Sequence, residues 1–249
     1  MTFINTDELV PGLSIDCVIF GFHEYELKVL LMKMKNSDLW ALPGGFVRKD
    51  RNVDDEAAVV LELRTGVRDI FLRQFHFFGN VSRNVDGHPE QLVKKEIISP
   101  ENQAWFEERF VSVGYYALVE HSKVQEPQPD HTSELCAWVS LNDLPELMLD
   151  HGLILKKAHH TLRLELNNQP IGLNLLPETF TMPELQALYE TVLGKELDRR
   201  NFRRKMLSYD ILIDTNEKRT GTSHKAPTLY KFDRDKYFTA MQDGFSTAW

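Results

Sequence analysis

Divalent-metal chemistry on a diphosphate needs oxygen-bearing side chains at fixed spacing. A hard cation takes carboxylate or other oxygen ligands, and once bound it polarises a phosphoryl oxygen and activates water. One stretch of the chain has a frame for such a site: Gly44 to Val67, GGFVRKDRNVDDEAAVVLELRTGV. A Gly-Gly turn precedes a helix that begins near Val53, carries Ala57, Val60, Leu61 and Arg64 at helical spacing, and ends at Gly66. Asp54, Asp55 and Glu56 read as the acidic first turn of that helix, where carboxylates complement the macrodipole, although with Asp50 they offer a metal register of their own. On the helix body Glu62 stands alone, and one carboxylate is a poor metal site.

The frame resembles a Nudix box, G-x5-E-x7-R-E-U-x-E-E-x-G-U with U a bulky aliphatic residue. Counted from Gly45, the first glutamate position is Arg51, and the second half reads Val59, Val60, Leu61, Glu62, Leu63, Arg64, Thr65, Gly66, Val67. Both glycines and the aliphatic positions remain, while the metal-ligating positions are apolar or cationic. The resemblance therefore implies a Nudix shape without Nudix catalysis: no catalytic residue, no metal and no cofactor are expected.

A second chemistry lies near the C-terminus. Residues 195–237 carry 12 Lys or Arg against 7 Asp or Glu, whereas residues 1–194 carry 17 against 29. Positive charge concentrated in one segment of an acidic protein points to nucleic acid. Thr181 caps a helix, Thr181–Leu193, with Pro183 in its first turn and Glu184 completing a capping box. Gly194 ends it. Asp198 caps a second helix, Arg199–Tyr209, in which Phe202, Met206 and Tyr209 form the buried stripe. Two short strands, 211–213 and 229–232, flank a basic hairpin, so the segment reads as a winged helix-turn-helix. Candidate DNA contacts are Arg199, Arg200, Asn201, Arg203, Arg204 and Lys205 on the helix, and Lys218, Arg219 and Lys225 on the wing. Arginine reads guanine bidentately, while wing lysines take phosphates.

The elements that must position these groups begin with a hairpin of Ser14–Phe22 and Leu27–Met34, and continue with strands at Leu39–Val47, Ile70–Phe78, Phe110–Val119 and Leu135–Val139. Residues 80–109 form a polar insert far longer than ordinary connections of about five residues, with a helical turn or two over Asn102–Phe110. A helix spans Gly152–Leu166. Its His159-His160 pair points in diverging directions and cannot share a metal as i, i+4 residues could. Cys17 and Cys136 are too few and too distant for a disulfide framework and read as buried. The N-terminus lacks a signal-peptide pattern, and no run approaches the roughly 18 apolar residues of a membrane helix. A soluble cytoplasmic protein without membrane contact is expected.

The fold class expected is α+β: an N-terminal α/β/α Nudix sandwich with a mixed sheet over residues 1–168, then a winged helix domain over 169–249. The segments SIDCVIFGF, LPGGFV, RFVSVGYYAL, IGLNLLPETFT, LQALYE and RRNFRRKM make nearly the whole chain similar to the Nudix-related transcriptional regulators of the NrtR and AraR type. That resemblance, nearer to the AraR-like branch, implies a bacterial repressor or activator that binds operator DNA as a homodimer and a small effector in its Nudix domain. NrtR-like members respond to ADP-ribose and related metabolites, AraR-like members to arabinose. The effector expected is a sugar, a sugar phosphate or an ADP-ribose-like nucleotide sugar. Trp40, Phe46, Phe78 and Tyr115 are expected to offer stacking faces, and Asp16, Arg48, Arg83 and Arg109 polar anchors. The alternatives are a Nudix hydrolase of ADP-ribose or a related nucleoside diphosphate, and an interaction module with neither activity.

Overall fold

The structure is a computed structural model that describes residues 5–68, 70–83, 87–124, 126–166, 172–219 and 226–243. It divides into two compact units at Ala158, the second also taking in Phe22–Leu27 and Glu120–Ser122. The domain boundary expected after residue 168 lies outside the described residues.

The first unit is built on a seven-stranded sheet. Strands β1 (Leu9–His23) and β2 (Glu26–Met34) form the expected hairpin. Glu24 and Tyr25 close it with φ of 52° and 63°, the left-handed pair that matches strand twist in a two-residue turn. Next come β3 (Trp40–Ala41), β4 (Gly44–Arg48), α1 (Val53–Thr65) and β5 (Phe71–Phe78). They are followed by α2 (His88–Lys94), α3 (Gln103–Glu107), β6 (Val111–Glu120), β7 (Ser133–Ser140) and α4 (His151–Glu165). The strand order is β3-β2-β1-β6-β5, with β4 added to β1 and β7 to β2. β6 is buried along almost its whole length, which is why its sequence is a continuous apolar run instead of an alternating one.

α1 lies on this sheet through Ala57, Val60 and Leu61, which join Ile15, Cys17, Ile19, Leu30, Tyr115 and Cys136 in one core. Burying side chains of this size contributes about 1.5–3 kcal/mol each. The helix stops where Gly66 takes φ 69° and donates its N–H to Glu62 O at 2.7 Å. The Gly44-Gly45 pair, by contrast, has no left-handed backbone. Gly44 is required by proximity: a Cβ there would sit 2.5 Å from Ile15 O and 3.2 Å from Asp16 Oδ1. Both cysteines are buried, as expected.

The described residues of the polar insert are folded. Two short helices, α2 and α3, occupy it, and Leu92, Ile97 and Ile98 pack with Met34 and Ala41 in a small second core.

The second unit contains β8 (Phe180–Thr181), α5 (Met182–Leu193), α6 (Arg199–Ser208), β9 (Leu212–Lys218), β10 (Thr228–Phe232) and α7 (Arg234–Asp243). A three-stranded sheet in the order β8-β10-β9 supports the helix pair. The capping box is formed: Glu184 N–H donates to Thr181 Oγ1, and Thr181 N–H donates to Glu184 Oε2 at 2.7 Å. Tyr189 meets Phe202 with ring centroids 5.3 Å apart, and Phe180 meets Phe232 at 4.8 Å. α7, not anticipated from the sequence, is anchored by buried Tyr237 against Phe232.

Candidate functional site

The first unit forms a half-open cavity of about 1180 Å³ lined by β1, β4, α1 and the insert. Small-molecule sites run to roughly 300–1,000 Å³, so the volume suits a large ligand. Three kinds of wall meet in it.

One wall is a buried ionic network. Asp16 on β1 accepts from Ser112 Oγ at 2.6 Å and from Arg83 Nη2 at 3.3 Å. Arg83 also donates through Nε and Nη2 to the two oxygens of Asp150, at 2.8 and 3.1 Å. His151, first residue of α4, accepts Leu42 N–H on Nδ1 at 2.9 Å. That bond places the imidazole proton on Nε2, which lies 3.5 Å from Asp16 Oδ1. The Arg83 and Asp16 side chains are 8% and 9% exposed, so the pair survives burial only because each group is otherwise hydrogen-bonded.

The second wall is aromatic. Phe46 packs against Trp105, Phe106 and Phe110 with centroids 4.8, 5.5 and 5.6 Å apart, and Phe46, Phe106 and Phe110 line the cavity. The third wall carries Arg48 and Arg64. Arg48 pairs with Glu8 and Asp50, and Arg64 with Asp130.

Of the eight effector candidates read from sequence, Asp16, Phe46, Arg48 and Arg83 come together here. The other four are not among its lining residues. Tyr115 is a core residue whose hydroxyl donates to Asp54. Trp40 is held in β3 by backbone bonds to Glu146 and Met148. Phe78 packs on Phe75 and His76, and Arg109 donates to Gly79 O at 2.7 Å. The sequence reading missed His88, Phe106, Phe110 and His151. Only the apolar pair Trp105-Phe106 within a polar insert signalled that its rings are seated on something.

His88 has its pKa lowered by burial first, then by His151 and Lys95. A histidine with a depressed folded value is protonated first in the unfolded chain, so stability falls as pH drops below the ordinary imidazole value of about 6.5. His88→Asn is expected to flatten the fall in Tm between neutral and mildly acidic pH, read by scanning calorimetry. Identical slopes in the two proteins would count against this.

The frame's metal positions do not fit a metal. Val60 and Leu63 have no ligand atom, Arg51 and Arg64 are cations, and Glu62 is taken by Arg68 at 2.6 Å. In the neighbouring register Asp50 is paired with Arg48, Asp55 accepts from Asn52, Asp54 accepts from Tyr115, and Glu56 faces Arg51 at 3.7 Å. Among the described residues no group of three or more His, Cys, Asp or Glu can hold a metal ion.

In the second unit, α6 exposes Arg199, Arg200, Asn201, Arg203, Arg204 and Lys205 while Phe202 and Met206 face inward. Asp198 caps the helix on Asn201 N–H at 2.9 Å, and Asn201 Oδ1 accepts from Arg204 Nη2 at 2.8 Å. Arg203 reaches Tyr230 OH at 3.2 Å. Lys218 is exposed at the end of β9. Arg219 Nη2 donates to both oxygens of Glu184, at 2.8 and 2.6 Å. Lys225 lies outside the described residues.

Residues 10–158 match the NUDIX domain family, and residues 172–232 match the NrtR DNA-binding winged helix domain family. The ADPR responsive transcriptional repressor NtrR of Acinetobacter baylyi is 30% identical over 240 residues, covering 94% of this chain and 86% of that protein. The chain belongs to the NrtR-type Nudix family of DNA-binding transcription regulators. The crystal structure of Shewanella oneidensis NrtR matches with a TM-score of 0.72 at 30% identity, over 91% of this chain and 96% of that one. The same protein complexed with a 27mer DNA gives 0.71 at 28% identity, over 91% and 95%. These relatives are NrtR proteins and lend nothing to the expected nearness to the AraR-like branch. The NrtR-type architecture, a Nudix domain followed by a winged helix, is the α+β arrangement expected. No helix among the described residues is long and apolar enough to cross a membrane.

Proposed function

We propose that this NrtR-type regulator senses ADP-ribose, or a closely related nucleoside diphosphate sugar, in its Nudix cavity without hydrolysing it, and that it binds operator DNA as a cytoplasmic homodimer through α6 and the wing. The observation that carries the reading is a large cavity lined by Leu63 and Arg64 at two of the frame's metal positions, with Arg51 and Val60 at the other two. Such a site binds but lacks the cation that hydrolysis needs.

The three walls suit the three parts of that ligand class. Aromatic faces favour a flat base. Asp16 and its network accept from sugar hydroxyls, and guanidinium groups match phosphate oxygens bidentately. The relative from Acinetobacter baylyi is ADPR responsive, which supports ADP-ribose over a free pentose. α6 offers the exposed arginines for operator recognition.

The test is calorimetry of the full chain with ADP-ribose, arabinose and ribose 5-phosphate, followed by chromatography of ADP-ribose after incubation with protein and magnesium. Binding of ADP-ribose with the ligand recovered intact is expected. Recovery of AMP and ribose 5-phosphate in proportion to enzyme would make the chain a hydrolase. Binding of arabinose with none of ADP-ribose would return it to sugar sensing.

A further inference from the structure

The Nudix frame presents carboxylates to a divalent cation, yet at the last of those positions this chain places a cation of its own. Arg64, on α1, is 8% exposed and lines the cavity. Its Nη2 donates to Asp130 Oδ2 at 2.6 Å, and its Nη1 to Gln128 O at 3.4 Å. Its Nε–H is buried without an acceptor among the described residues. Gln128, Pro129 and Asp130 line the same wall. One helix face away, Glu56 Oε2 is also buried without a hydrogen bond, and lies 3.7 Å from Nη1 of Arg51, the residue at the frame's first glutamate position.

Two of the metal positions are thus guanidinium groups set against carboxylates. Burial opposes ionisation of Asp130, but hydrogen bonds from Thr132 and Ser133 and the charge of Arg64 together hold its carboxyl below the usual range. The Arg64–Asp130 pair is therefore charged on both sides in the ligand-free protein. The Nη1 bond to Gln128 O is long, and a planar guanidinium lining the cavity is matched to phosphate oxygens.

Resting on the reading of the cavity as a nucleoside diphosphate sugar site, we infer that Arg64 has taken over the charge-neutralising task of the absent cation, so that the diphosphate binds without metal. Arg48, paired with Glu8 and Asp50, also lines the cavity.

The experiment is calorimetry of the full chain with ADP-ribose in EDTA and again in excess magnesium. Dissociation constants equal within about twofold, a difference of roughly 0.4 kcal/mol, are expected. Binding that requires magnesium overturns this inference and leaves the functional reading standing. No binding in either buffer overturns both. Arg64→Gln is expected to weaken ADP-ribose about tenfold or more while leaving uncharged adenosine little changed, with Arg64→Lys intermediate because it keeps the charge and loses the fork. Equal losses for both ligands would make Arg64 a structural residue and overturn the inference. Where a variant fails to fold, the comparison of the two buffers on the unaltered protein decides alone.

Discussion

Changing Arg200 and Arg204 together to alanine removes operator binding at physiological salt. The two residues stand four apart on one exposed face of α6. Each base-reading arginine contributes about 1–3 kcal/mol, and the neighbours couple, so the sum is not strictly additive. Arg204 Nη2 is positioned by Asn201 Oδ1, which fixes the fork before DNA arrives. Lys218→Ala, in contrast, is expected to weaken all sequences alike and to flatten the salt dependence, since a phosphate contact carries no sequence information. Both effects are read from anisotropy titrations at several salt concentrations. Unchanged affinity in the double arginine variant, with calorimetric binding of ADP-ribose intact, would remove α6 from the interface.

Arg83→Ala destabilises the first unit by about 3–5 kcal/mol, the usual cost of removing one partner from a buried ion pair. It leaves Asp16 and Asp150 facing each other's charge without the guanidinium that now bonds both. Asp150 immediately precedes α4, so the loss also frees the start of that helix. Urea unfolding measures the change, with the midpoint shifting and the slope retained. Because a folded Arg83→Ala protein would have a more negative cavity, ADP-ribose binding weakens as well. A loss below about 1 kcal/mol, the level typical of exposed pairs, would mean that the network is solvated.

Local signals in the sequence are legible because they act over a few residues. Thr181 with Glu184 is a cap whose partners are three apart, and Gly66 ends α1 through a bond to Glu62. The α6 stripe of Phe202 and Met206 is visible for the same reason. The cavity depends on pairings that no local pattern encodes: Arg83 is 67 residues from both Asp16 and Asp150, and Arg64 is 66 from Asp130. Tyr115 lies in the core because β6 is buried along almost its whole length, and there alternation does not tell core from cavity. In the insert α3 falls within the helical turn expected over Asn102–Phe110, whereas α2, seven residues long, is too short to show periodicity. Gly44 reads from sequence as part of a turn, whereas the structure requires it because Ile15 O lies where a Cβ would go.

The most direct test of a Nudix sensor controlling a DNA-binding module is anisotropy of a labelled duplex, selected by the protein from a random pool, titrated with and without saturating ADP-ribose. A change in operator affinity of about tenfold or more, or roughly 1.4 kcal/mol of coupling between effector and DNA, is predicted. ADP-ribose that binds by calorimetry yet leaves the DNA titration superimposable would contradict it.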